Sequence, residues 1–370
     1  MRFKLKVLLG VFVLCAVFSF AGINTWTYQY YGYKAVLINP LDNSVFYCTN
    51  NATHSSATIL YRSTDKGVIW SPISYLPYGI NNMAFSSDTR VMYISTDISP
   101  LYISNDGGFT YFISTTGMPS SSNNCFLASY QNPSVAYAGF NVVYKTTDQG
   151  STWADCSSGA AVGGYVSSIA EDPQNPNNLY ITGNRGYVCK SVNGGNSWAY
   201  ITTGLNPPGD GWTAIAVHPT NPNILFVLPE QTGCVYKSIN GGQTWTTITS
   251  GISANRWDES LSFLPSNPST IFLGCGDGML QSIDEGSTWH LFNNGFNPSS
   301  PPLPKQIAIT KTKPHTILIG GIMSAYTYTI VDTGINDPEW QTYDIGLQDV
   351  LDMKPTTRVR ILQKGDLISK

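Results

Sequence analysis

Ser191-Val-Asn-Gly-Gly-Asn-Ser-Trp198, Ser238-Ile-Asn-Gly-Gly-Gln-Thr-Trp245 and Ser282-Ile-Asp-Glu-Gly-Ser-Thr-Trp289 are copies of one eight-residue pattern, and their recurrence decides how the rest of the chain reads. Ser63 to Trp70, Ser104 to Tyr111 and Thr146 to Trp153 follow the same pattern. The third positions are Asp65, Asp106, Asp148, Asn193, Asn240 and Asp284, at intervals of 41, 42, 45, 47 and 44 residues. A carboxylate or carboxamide there can accept hydrogen bonds from the backbone of its own tight turn. Glycine at the fifth position opens a backbone geometry closed to other residues. Hydroxyls at positions one and seven can meet further turn groups, and the closing aromatic can pack between neighbouring sheets. These six acidic or amide residues therefore read as structural parts of hairpin clamps, not as acids or metal ligands.

A second pattern lies upstream of each copy. Val166 to Ala170 reads as a strand, Asp172-Pro-Gln-Asn-Pro176 as a turn, Leu179 to Thr182 as a strand, and Tyr187 to Lys190 as a third strand leading into the eight-residue unit. The order recurs from Thr213 to Lys237 and from Ser260 to Gln281, and more loosely from Cys125 and from Tyr33. Four short antiparallel strands per repeat of this length predict an all-β protein, a single β-propeller of four-stranded blades. The eight-residue unit is similar to the Asp-box, S-x-D-x-G-x-T-W, of sialidases, sortilin-type receptors, xyloglucanases and photosystem-assembly propellers. That resemblance implies the same fold, with the boxes on the hairpin between the third and fourth strands.

Counting closing aromatics predicts eight blades, with seven as the alternative. Trp26 would introduce an outer strand, and Trp340 would end a degenerate copy at Asp332 to Trp340. Val350 to Lys354, Arg358 to Gln363 and Asp366 to Ser369 read as the first three strands of a last blade. The N-terminal strand after Trp26 would complete it, pairing the two ends of the chain and leaving no open sheet edge. The 349 residues from Gly22 onward, spread over eight blades, also match the box spacing.

Residues 1–21 read as a cleaved signal peptide: Arg2, Lys4 and Lys6 precede the apolar run Val7 to Phe20, and Ser19 and Ala21 form a small-residue cleavage site. The expected product, residues 22–370, is secreted or periplasmic and a monomer, with no membrane span. Charged residues are 12% of the chain and the formal charge is −3, which becomes about −6 without the three leader cations. That balance argues against a nucleic-acid partner. Cys48, Cys125, Cys156, Cys189, Cys234 and Cys275 are widely spaced and read mostly as small buried hydrophobes, with room for one bridge. No CxxC, HExxH, GxSxG or phosphate-binding glycine loop occurs, so neither a cofactor nor a metal is expected. Asn51-Ala-Thr53 is a formal glycosylation acceptor.

Function is expected on the rim opposite the boxes, built from Thr49 to Ala57, Asn206 to Trp212, Ser253 to Glu259 and Asn297 to Pro304. Seven of the nine tryptophans close a blade or box; Trp212 and Trp257 do not, and they occupy corresponding loops of adjacent blades. Asp210 stands beside the first, and Arg256, Asp258 and Glu259 beside the second. Aromatic faces next to polar groups can hold a sugar, so Trp212, Trp257, Arg256 and Asp210 are candidate ligand-binding residues. The competing reading makes both tryptophans fillers of the gap between blades. A binding or scaffold propeller for a carbohydrate or protein ligand is the first functional expectation. The alternative is a glycoside hydrolase resembling the xyloglucanases, with Asp210, Asp258, Glu259 and Asp277 as candidate acids, since hydrolysis needs two carboxylates flanking the bond. The chain lacks that family's Asp-Val-Gly-Gly-type segment, and it holds one propeller where xyloglucanases usually pair two. A sialidase is less expected still, because only Tyr61-Arg62 matches that family's Phe/Tyr-Arg-Ile-Pro segment.

Overall fold

The computed structural model describes residues 27–31, 33–50, 57–96, 101–119, 125–160, 164–206, 211–230, 233–253, 258–296, 302–321 and 324–330. Every helix or strand among them is a strand, and the strands form seven four-stranded antiparallel sheets. Six sheets are contiguous in sequence and built alike. Blade 4 is Val166–Asp172, Asn175–Gly183, Val188–Ser191 and Ala199–Tyr200, strands a to d in order. Blades 1, 2, 3, 5 and 6 begin at Tyr33, Ile80, Cys125, Trp212 and Asp258.

Burial follows position in the blade. The b strands Met92–Thr96, Leu225–Pro229 and Ile271–Cys275 are buried at every residue. A sheet covered on both faces wants a continuous apolar run rather than alternation, and these sequences supply it. The d strands Ala154–Asp155, Ala199–Tyr200 and His290–Leu291 are two residues long and exposed, which keeps the outer edge short. The core is divided into seven apolar clusters, each joining two neighbouring blades. One example sets Leu225, Val227 and Trp245 of blade 5 against Ala170, Tyr180 and Val188 of blade 4. Another sets Leu318 of blade 7 against Val36, Ile38, Phe46 and Cys48 of blade 1. Burying one such side chain contributes about 1.5–3 kcal/mol, so the blades are held mainly by their seams.

The described residues form seven blades, the alternative count, and not the expected eight. Strands a to c of the seventh blade are Pro304–Ile309, His315–Gly321 and Ser324–Ile330, and strand d is Thr27–Tyr31 from the other end of the chain. Thr27 is opposite Thr327 and Tyr31 opposite Ser324. The N-terminal strand therefore pairs with 324–330 rather than with strands at 350–369. This arrangement explains why seven blades carry six boxes: a box is a c–d hairpin, and in blade 7 strands c and d belong to distant parts of the chain. The degenerate copy at 332–340 and the strands expected at 350–369 lie outside the described residues.

Candidate functional site

Within each box the structure shows where the polar atoms go. In the third, the Thr146 hydroxyl donates to Asp148 Oδ1 at 2.8 Å and accepts the Gly150 amide at 2.9 Å. Asp148 Oδ1 accepts the Thr152 amide at 2.9 Å, and Oδ2 the Thr152 hydroxyl at 2.6 Å. The Thr152 hydroxyl and then its amide hold the Asp148 carboxyl below the usual range. Asn193 and Asn240 do the same work with an amide, donating from Nδ2 to Ser197 and Thr244, each at 2.8 Å. The fifth-position glycines have φ between +80° and +94°, as the turn requires. Asp65, Asp106, Asp148, Asn193, Asn240 and Asp284 each accept both from their own Ser/Thr hydroxyl and from the amide four residues on.

Beyond their own turns, the boxes of blades 2 to 6 are bound to the preceding blade. The Trp198 amide donates to Ser158 O and its indole to Cys156 O; the Trp245 amide donates to Thr203 O and its indole to Ile201 O. Both sets of acceptors lie just past the preceding outer strand. Gly204, at φ +87°, lies so close to this junction that a Cβ would stand 2.6 Å from Trp245 O. The sequence carries a signal for this contact: glycine follows the box aromatic by six residues at Gly117, Gly159, Gly204, Gly251 and Gly295. Lysines just before the boxes add a second tie, with Lys145 Nζ to Gly194 O at 2.8 Å, Lys190 Nζ to Gly241 O at 3.3 Å and Lys237 Nζ to Glu285 O at 2.7 Å.

The strand order puts the boxes and the a–b turns on one rim. His218 belongs there: its Nδ1 accepts the Asn221 amide at 3.0 Å and its ring meets Phe263 edge-on, and burial lowers its pKa. Among the described residues no group of three His, Cys, Asp or Glu could hold a metal. Cys48, Cys125, Cys189, Cys234 and Cys275 are buried, and burial raises the Cys189 thiol to about 12. Arg62 lies in the seam of blades 1 and 2, donating to the Tyr47 hydroxyl at 3.3 Å and facing the Phe109 ring.

The expected sugar platform is corrected at Trp212. The residue is 2% exposed and packs edge-on against Tyr236, with Ile215, Cys234 and Trp245 in the same seam. It begins strand a of blade 5, and the neighbouring backbone is tight: a Cβ on Gly211 would stand 2.5 Å from the Asn184 main chain. An aromatic face closed on both sides offers no surface for a sugar ring, so the gap-filling reading holds for Trp212. Trp257, Arg256 and Asp210 lie outside the described residues. Asp258 and Glu259 open strand a of blade 6, with a register shift between Asp258 and Ser260. Asp258 pairs with Cys275, and Asp277 lies two residues past that partner in the exposed b–c turn, its carbonyl accepting Asn293 Nδ2 at 2.6 Å. Three of the four candidate acids thus share one end of one hairpin, on the rim opposite the boxes.

Sequence reasoning also missed a polar clasp on the inner strands. Gln306 of blade 7 accepts the Val36 amide of blade 1 at 2.9 Å and donates to Asn82 Oδ1 of blade 2 at 3.0 Å. A register shift between Tyr33 and Val36 takes strand a of blade 1 out of regular pairing just there.

Fold, repeats and boxes together make the chain a β-propeller whose c–d hairpins carry turns similar to the Asp-box. Residues 141–272 match the family model described as sortilin, neurotensin receptor 3. No curated protein matches the chain. Among solved structures the chain is similar to YCF48 bound to D1 peptide, at 16% identity and TM-score 0.62, covering 85% of this chain and 97% of that one. YCF48 from Cyanidioschyzon merolae matches at 15% identity and TM-score 0.59, covering 82% of this chain and 98% of that one. An ancestral GH74 enzyme matches at 18% identity and TM-score 0.66, covering 84% of this chain but 46% of that one.

Proposed function

We propose that this chain is an exported, non-catalytic binding or scaffold propeller whose ligand is a protein segment. The observation that carries this reading is the single ring of seven blades: it corresponds to nearly the whole of a YCF48 chain solved with a peptide, but to less than half of the GH74 enzyme. The boxes fit a structural part in that ring, because their hydrogen bonds close within the turn and onto the preceding blade. With Trp212 buried, the sugar reading keeps only the Trp257 side of its platform. The glycoside hydrolase remains a second reading, because Asp258, Glu259 and Asp277 meet at one hairpin end.

The test is a parallel screen of the secreted, processed protein on peptide and glycan arrays, with a hydrolysis assay on β-glucans. Peptide capture without turnover is the expected result. Turnover abolished by both Asp258→Asn and Asp277→Asn would overturn it in favour of the hydrolase. Export is checked on the same material, since the processed chain should begin at Gly22.

A further inference from the structure

The last or next-to-last residue of strand a reaches back into the preceding blade at the same height in every seam. Those residues are Ile38, Phe85, Ala128, Glu171, Val217, Phe263 and Ile309 in blades 1 to 7. Several contacts fix the direction: Phe85 packs on Tyr47, Phe263 on Phe226, and Val217 lies among Ala170 and Tyr180. Six of the seven are apolar. The one in the seam of blades 3 and 4 is a carboxylic acid, 1% exposed. Glu171 Oε1 accepts the Ser129 hydroxyl at 3.0 Å, while Oε2 is buried with no hydrogen-bond partner.

No lysine or arginine among the described residues forms an ion pair with it. Asp172 is adjacent on its own strand, the Tyr130 and Tyr137 phenols face it from blade 3, and its partner across the hairpin is Leu179. Lys145 and Lys190 of these two blades are turned to the Gly194 and Gly241 carbonyls. A buried carboxylate without a counter-charge is costly, whereas the neutral acid is tolerated.

We propose that the seam between blades 3 and 4 is a pH-sensitive joint, in which proton loss from Glu171 weakens the contact of these two blades. Desolvation by burial raises the Glu171 carboxyl to about 7, against smaller opposing effects of the Ser129 hydroxyl and Tyr130 amide. The folded chain then keeps a proton that the unfolded chain releases near the ordinary glutamate value of about 4.3. Stability from this group is therefore full at low pH, falls as pH rises between those values, and levels off above the folded one.

The experiment compares denaturant unfolding of the full chain and of Glu171→Gln from pH 4.5 to pH 8.5, with hydrogen exchange read at both ends of the range. Relative to Glu171→Gln, the unfolding equilibrium constant of the wild type should rise by about two orders of magnitude across the window. Once intrinsic rates are removed, exchange should accelerate selectively in Ala136–Gly139 and Val166–Asp172 of the wild type. Parallel stability curves would overturn the proposal, and so would an acceleration spread evenly over all blades. If Glu171→Gln does not fold, Glu171→Leu, which copies the apolar residue of other seams, takes its place under the same criteria.

Discussion

At the residue scale, the box is named for its acid but turns on its hydroxyl. Thr146 is buried and serves three bonds: it donates to Asp148 Oδ1 and accepts the Asp148 and Gly150 amides. Asp148 is exposed, and the groups it accepts from can turn to water. Thr146→Val, which keeps shape and removes the hydroxyl, should therefore cost about 2 kcal/mol. Asp148→Ala should cost only about 1 kcal/mol. Denaturant titration of the two variants would check the order, and a larger loss at Asp148 would refute it. Gly204→Ala is a second test of packing: the added Cβ has both a left-handed backbone and the Trp245 carbonyl against it. A loss of about 1–3 kcal/mol is expected by thermal unfolding, against less than 1 kcal/mol for alanine at an unstrained exposed glycine.

At the element scale, the outer strand of blade 7 is supplied by Thr27–Tyr31. Removing it would strip the hydrogen-bonding partner from Ser324–Ile330, a strand carrying the buried Tyr326, Tyr328 and Ile330. The expected outcome of deleting 22–31 is a lower melting temperature and association through the exposed edge, measured by light scattering. A monomer with an unchanged melting transition would show that this pairing does not hold the blade. The strand was legible in the sequence from Trp26, because an outer strand follows a box aromatic in every other blade. Its partner was not legible. The strand-like pattern at 350–369 competed with 324–330, and only the three-dimensional pairing separates them.

At the scale of the whole molecule, two sets of carboxyls pull stability in opposite directions with pH. Asp65 and Asp148 are held below the usual range by hydrogen bonds in their turns, led by the Ile69 amide and the Thr152 hydroxyl. Asp106 and Asp284 are also held low, hydrogen bonds from Thr110 and Thr288 outweighing desolvation. A depressed folded value means stability that is present above the unfolded one, about 3.9, and lost as pH falls through the folded one. Because Asp106, Asp148 and Asp284 are exposed and Asp65 is half-buried, solvent screens each contribution. Glu171 has the opposite sign and acts between about 4.3 and 7. Thermal stability should therefore peak near pH 4–5, and Glu171→Gln should flatten the alkaline side while leaving the acid side intact. A melting profile that rises steadily to pH 8 would contradict this.

The sequence by itself determined the blade, its four strands and its clamp, because these rest on local physics: hydrogen bonds spanning four residues, glycines in left-handed turns, and short apolar runs at fixed intervals. It also carried the inter-blade glycine six residues after five of the six box aromatics, a regularity whose meaning appears only when Gly204 is seen against the Trp245 carbonyl. Tertiary structure decided what depends on partners distant in sequence. The number of blades followed from Thr27–Tyr31 pairing with Ser324–Ile330, about 300 residues away. The fate of Trp212 followed from Tyr236 packing edge-on against it in a seam shared with Tyr180 and Val188 of blade 4, since an aromatic beside a loop carries no mark of whether the neighbouring blade covers it. Glu171 reads in sequence as one more acid beside a turn; only the stacking of blades makes it a lone carboxyl in an apolar seam.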